Sequence, residues 1–205
     1  MAKPKYKVTG AQVKAFWKYM AKKYDFDIVD KDSAREMKMI AGILDAMGVQ
    51  SKKQFLKQYT TTIVIGNWRA VYVPFEIGKG SQAQLISQIV TCVHECQHVV
   101  QADRDVIFFA KYLADDTNRA NYEAQAYGVS MEMHYYFYGT VLSPKALANK
   151  LKNYSVGKAD RRSAEKQLIA LSKTVKHGGV INKTSKTAIK WWRPKVKANA
   201  RKRAA

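Results

Sequence analysis

The sequence predicts an α+β domain dominated by helices, with a small β-sheet. Two observations carry this. Several stretches of 14–22 residues place apolar side chains at helical spacing, and a single β-branched run leads through a Gly-Asn turn into an alternating segment. The chain has 205 residues, 47% of them hydrophobic, enough for one packed domain with tails. No apolar stretch reaches the roughly 18 residues of a membrane span. The basic start leads straight into a lysine-rich helix, so no signal peptide is expected, and the location expected is cytoplasmic, or the virion if the chain is phage-encoded. Two cysteines give no disulfide framework.

Taken in order, Ala11–Tyr24 carries Val13, Phe16, Trp17 and Met20 at helical spacing with lysines between them, an amphipathic helix. Asp32 or Ser33 can cap a second helix bearing Met37, Ile40, Ile43, Leu44 and Met47, which ends before Gly48. Ser51–Tyr59 reads as a short third helix. Thr60–Ile65, the turn at Gly66-Asn67 and Arg69–Glu76 read as a β-hairpin, and Pro74 inside its second strand suggests an edge position. Ser81 opens a long helix through about Ala102, and Asp105–Ala114 is a shorter helix. Asn118–Tyr138 is a second long helix, rich in tyrosine. Ser143-Pro144 starts another, with proline in its first turn. Lys158–Lys176 is a last amphipathic helix, closed by His177-Gly-Gly.

The organisation is a basic N-terminal arm (1–10), a domain (11–178, its core about 55–140) and a basic C-terminal extension (179–205). The formal charge of +20 is unevenly spread. Residues 150–205 hold 17 Lys and Arg against 2 acidic residues, so +15 of the excess lies in the last quarter of the chain. From Lys195 onward there is little apolar surface to bury, and this end is expected to be flexible.

The segment Val93-His94-Glu95-Cys96-Gln97-His98-Val99-Val100 contains H-E-x-x-H. Two histidines four apart on a helix project from one face, one turn apart, so both imidazoles can reach one ion. Neutral imidazole nitrogens suit Zn²⁺. Glu95 sits about 100° around the helix from His94, beside the ion rather than on it. There it can take a proton from a water on the metal. Leu85, Ile86, Ile89, Cys92, Val93, Cys96, Val99 and Val100 cluster on the face away from the histidines, so one face is core and the other faces a cleft. Cys92 and Cys96 lie on that core face and read as small buried apolar residues.

A third ligand is needed, and His134, His177 and downstream carboxylates are the candidates. Glu123 lies 25 residues after His98, long enough for the chain to turn and come back beside the first helix. It is flanked by Ala120, Ala124 and Ala126, small residues that permit close helix packing. His134 lies about 16 Å further along the same helix, too far to share an ion with Glu123. His177 precedes a Gly-Gly turn and reads as a surface residue.

With these residues the sequence resembles the H-E-x-x-H zinc metallopeptidases, the zincins, and within them the branch whose third ligand is a glutamate. The pairing of His94-Glu95-x-x-His98 with the later Tyr122-Glu123-Ala-x-Ala-Tyr127 helix is similar to compact intracellular and phage-encoded members. The resemblance covers roughly residues 55–140. It implies a minimal zincin-like domain with the small sheet packed on the active-site helix, and an edge strand that holds substrate as an added strand. It also implies Zn²⁺ on His94, His98 and Glu123, with Glu95 as general base and a donor for the oxyanion. Tyr127, Tyr135 and Tyr136 are donor candidates by residue type, with Tyr127 first because it shares a face with Glu123. Larger members often carry an acidic residue four positions after the ligand glutamate. Here that position is Tyr127, so the support of the metal-bound histidines must be built differently. The longer motif with Gly and a third His is absent, because Gln101 and Arg104 stand at those places.

The extension carries Lys190, Arg193, Lys195, Lys197, Arg201, Lys202 and Arg203 around Trp191-Trp192. Cations with aromatics suit a polyanion such as nucleic acid, since phosphates attract the charges and bases can stack on indole. The alternative is that the tryptophans dock on the domain. Three functions follow as expectations. The first is a zinc-dependent metallopeptidase, a hydrolase acting on peptides or proteins, with a basic tail for an anionic partner. The second is a phage virion or nucleic-acid-associated structural protein with an idle zincin fold. The third is a zinc endopeptidase that cleaves peptidoglycan.

Overall fold

The structure is a computed structural model that describes residues 3–35 and 60–204, with side chains as far as Val196. The second and third helices expected from the sequence fall almost wholly within 36–59 and lie outside the described residues. Elsewhere the fold is helix-dominated α+β, with seven α-helices and one three-stranded sheet among the described residues.

The first helix, α1 (Gly10–Tyr24), starts at a capping box in which Thr9 and Gln12 bond each other's backbone N–H groups. Its buried stripe is Val13, Phe16, Trp17 and Met20, as the spacing predicts. It stops at Asp25, which takes a left-handed φ of 54°. The chain then runs directly into a strand that the sequence reading missed, β1 (Asp27–Asp30). Four residues are too few for alternation to announce a strand.

Strands β2 (Thr61–Ile65) and β3 (Trp68–Val73) form the expected hairpin, turning at Gly66, whose φ of 58° suits a residue without a Cβ. The sheet order is β1-β3-β2, with β1 parallel and β2 antiparallel to β3. This corrects the edge position assigned to the second strand. β3 is central, because β1 occupies its other side. Pro74 lies just past the strand's end at Val73, so its missing N–H costs the ladder nothing. β1 and β2 take the two outer positions among the described residues.

The long helix α2 (Gln82–Arg104) begins at a Ser81–Gln84 capping box and buries Leu85, Ile86, Ile89, Cys92, Val93, Cys96 and Val99. It is the hub of the molecule, packed on α1, β2 and the helix α4 (Asp116–Tyr138). Between α2 and α4 lies the short α3 (Phe108–Ala114). α4 ends at Gly139, φ 73°. Then come α5 (Pro144–Lys150), capped by Ser143, a 3₁₀ turn over Leu151–Tyr154, and α6 (Lys158–Lys176). Two apolar clusters result. The larger joins α1, the sheet, α2 and the second half of α4. The smaller lies where the first half of α4 meets α5, the 3₁₀ turn and α6.

The C-terminal extension forms a helix, α7 (Lys183–Ala204), which runs on through the stretch from Lys195 that was expected to be flexible. Its inner face, Ala188, Ile189, Trp192 and Val196, belongs to the larger core cluster. Trp192 is fully buried against Phe16 and Phe137, with ring centroids 5.3 and 5.7 Å away. Trp191 is half-buried against Phe16 and Tyr19, with the Lys195 ammonium 3.6 Å over its ring. Docking of the tryptophans therefore holds, and the indole of Trp192 is not available to stack on a base.

Candidate metal centre

His94 and His98 lie one turn apart on α2, their ring centroids 4.9 Å from each other. α4 crosses close to α2, and Glu123 on its second turn meets both rings. Glu123 Oε2 is 3.6 Å from His94 Nε2, and Glu123 Oε1 is 3.4 Å from His98 Nε2. One ligand atom from each residue falls within 4.8 Å of the other two, so the group could hold a metal ion.

The far side of each imidazole fixes which nitrogen faces the centre. His98 Nδ1 lies 2.8 Å from Gln101 Oε1. The Gln101 amide nitrogen donates to Tyr122 O and Gln125 Oε1, so its oxygen is the acceptor and His98 Nδ1 carries the proton. His94 Nδ1 lies 3.1 Å from Ser130 Oγ, whose own hydrogen goes to Ala126 O, so His94 also donates from Nδ1. Both Nε2 lone pairs are thereby left for an ion, the second-nitrogen support that metal-bound histidines need. Ser130 and Gln101 thus fix the outer nitrogens of the two rings. Gln101 was legible as an i+3 neighbour of His98; Ser130 had no signal of its own.

Glu123 is 2% exposed. Tyr112 of α3 donates to its Oε1 at 2.7 Å, whereas its buried Oε2 has no hydrogen-bond partner. A buried carboxylate oxygen without a hydrogen-bond partner is costly unless a cation faces it. This donor set of two nitrogens and one carboxylate oxygen, with polar support behind it, fits a metal ion. The charges respond to each other. Burial opposes ionisation of His98, but the Glu123 carboxylate outweighs it and raises the imidazole to about 9. Burial likewise works against Glu123, and the two histidines hold it far below the usual carboxylate range.

Glu95 lies beside the trio rather than in it. Its Oε2 accepts a 2.7 Å hydrogen bond from Thr62 Oγ1 on β2. Thr62 was not singled out from the sequence, where nothing marks which strand residue meets the helix. Glu95, His94 and Tyr127 line a cleft of about 710 Å³ whose walls include Phe75, Val90, Leu142 and Tyr154. Thr60, at the start of β2, also lines it. Tyr127 lines the cleft, its ring centroid 5.3 Å from that of His94. Tyr135 and Tyr136 are elsewhere. The first donates to Lys176 O, and the second stacks on Tyr6.

His134 bonds Thr140 O and stacks on Tyr138, outside the ligand group. His177 bonds Lys173 O at the end of α6. Cys92 and Cys96 are free and buried. Lys190 and Arg193 are exposed on α7, and Lys195 is half-buried. Lys197, Arg201, Lys202 and Arg203 are helical in backbone, and their side chains lie outside the described residues. No helix among the described residues is long and apolar enough to cross a membrane. Comparison with protein-family models, with curated proteins and with solved structures finds no match to this chain.

Proposed function

We propose that this chain is a zinc-dependent metallopeptidase. The observation that carries the reading is the division of labour on two crossing helices. Glu123 joins His94 and His98 as a ligand group, while Glu95, between the two histidines in sequence, stays out of it and lines the cleft. A structural site would need the three ligands and no carboxylate beside them.

Zn²⁺ suits the donor set, and when bound it lowers the pKa of a coordinated water and polarises a carbonyl. The remaining work falls to this chain's own groups. Thr62 holds Glu95 Oε2, which leaves the other carboxylate oxygen to take the proton of the attacking water and later return it to the leaving amine. Tyr127, at the cleft beside His94, is placed to donate to the oxyanion. β2 is one of the two outer strands among the described residues and Thr60, just before it, lines the cleft, which suits a substrate laid along the strand. The cleft walls are mainly apolar and aromatic, with Lys150 as a cation at their margin.

The test joins metal analysis to turnover. Purified protein should carry about one zinc per chain, lost in His94→Ala. Casein or peptide-library hydrolysis should fall by at least about a thousandfold in Glu95→Gln with zinc retained. A metal-free, folded wild type, or activity untouched by Glu95→Gln, overturns the reading.

A further inference from the structure

We propose that the outer face of α7, with the N-terminal arm and α1 beside it, is a docking face for the phosphate backbone of nucleic acid. The inference does not depend on peptide hydrolysis. It begins with where acids are missing. Residues 1–24 contain no Asp or Glu and carry seven Lys; residues 177–205, past the end of α6, contain none and carry nine Lys and Arg. All 16 acidic residues lie between Asp25 and Glu165.

The fold brings these two acid-free segments together, though they are the ends of the chain. Phe16 and Tyr19 of α1 contact Trp191 of α7, and the Tyr24 hydroxyl bonds Thr187. The arm is tied to the end of α4 by Lys5 N–H on Phe137 O, and Phe137 packs on Trp192. The burial of α7 then sorts its residues. Thr184, Ser185, Ala188, Ile189, Trp192 and Val196 face inward. Lys183, Lys186, Lys190 and Arg193 are exposed, spaced three, four and three apart, so they form one stripe about 15 Å long.

The stripe is held rigidly. The buried Glu132 carboxylate of α4 accepts from Ile181 N–H at 2.6 Å and Asn182 N–H at 3.1 Å, at the mouth of α7. One turn on, Thr184 Oγ1 donates to Gln97 Oε1 of α2 at 3.0 Å. A row of cations on a fixed helix matches a partner whose anions also repeat along a line, and duplex DNA presents one charge per roughly 1.7 Å of axis. A lipid surface fits less well. An interfacial helix inserts its apolar face into the headgroup boundary, and the apolar face of α7 is already in the protein core. Because Trp192 is buried, contact is with phosphates rather than by base stacking, so binding is indifferent to base sequence.

The experiment measures fluorescence anisotropy of the full chain with labelled duplex DNA of about 30 base pairs at several salt concentrations. Two unrelated base sequences should bind equally, with the logarithm of affinity falling linearly with the logarithm of salt. Reversing the stripe (Lys183→Glu, Lys186→Glu, Lys190→Glu, Arg193→Glu) should weaken binding at least about tenfold and flatten the salt slope by roughly three. The same four positions changed to Gln should give a smaller loss in the same direction, and circular dichroism checks that both variants fold. An equal charge change on exposed α6 positions (Lys158→Glu, Arg162→Glu, Lys166→Glu, Lys173→Glu) should cost less than about threefold. The proposal is overturned if the α6 change costs as much as the α7 change, or if folded α7 variants keep wild-type affinity. It is also overturned if vesicles of anionic phospholipid bind the chain more tightly than the duplex at equal salt.

Discussion

Ser130 and Gln101 are ordinary residues given a specific task by their neighbours. Each receives an Nδ1 proton and so turns the Nε2 of its histidine toward Glu123. Replacing either by Ala frees the imidazole to rotate or to change tautomer. Metal affinity of Ser130→Ala and Gln101→Ala should fall about 10- to 100-fold, read by competition with a chromogenic chelator. Unchanged affinity in both variants would remove the role assigned to them. Lys31 poses a different problem at the same scale. It is 1% exposed, with Nζ 2.6 Å from Thr61 Oγ1. Burial pulls its pKa from 10.5 down to about 7, against the attraction of Glu95. Between about 7 and 10.5 the unfolded chain holds a proton that the folded chain has released, so this lysine makes stability rise with pH across that window. Lys31→Met should remove up to about 1.4 kcal/mol per pH unit of that rise. Urea denaturation of variant and wild type from pH 6.5 to 9.5 isolates the term, since every other titrating group is common to both.

At the scale of elements, α7 shows why a charge count misleads. Its lysines and arginines suggest a solvated tail, yet half its surface is core. Trp192→Ala should cost about 3–5 kcal/mol in urea denaturation, the range for emptying a large aromatic site. A loss below about 1 kcal/mol would mean that α7 docks only loosely. α4 meets α6 at Gly128, where an added Cβ would lie 2.5 Å from Leu171 Cδ2. The long elements were legible because each repeats a period several times: α1, α2, α4 and α6 fall within about two residues of the sequence reading. β1 and the centrality of β3 were not, because a parallel pairing joins segments that share no local pattern. The same division holds at the metal centre. His94, Glu95 and His98 share one helix and one motif, and Glu123 could be reached by chain length and its small neighbours. Thr62 comes from β2, Tyr112 from α3 and Ser130 from two turns beyond Glu123 on α4, and only the fold brings them to these partners.

In the whole molecule the candidate metal group also joins elements, since α2 and α4 meet across it and α3 closes it through Tyr112. Without an ion, His98 and Glu123 stabilise the fold as a charged pair. His98, raised to about 9, contributes below its ordinary 6.5, and that contribution is lost as pH climbs through about 9. Glu123, depressed, contributes above the ordinary carboxylate range and is lost only in acid. An ion entering the group must displace the His98 proton, while Glu123 is already ionised near neutrality. Apparent metal affinity should therefore tighten about tenfold per pH unit up to roughly pH 9 and then level off. An ion held at about 100 times its dissociation constant adds roughly 2.7 kcal/mol to stability. Thermal melts with and without a chelator should thus show a Tm gap that widens from pH 6 to pH 8.5. His98→Gln should shrink that gap and abolish its pH dependence, because the displaced proton is gone. A gap of constant size in the wild type would place the bound ion somewhere other than on His98.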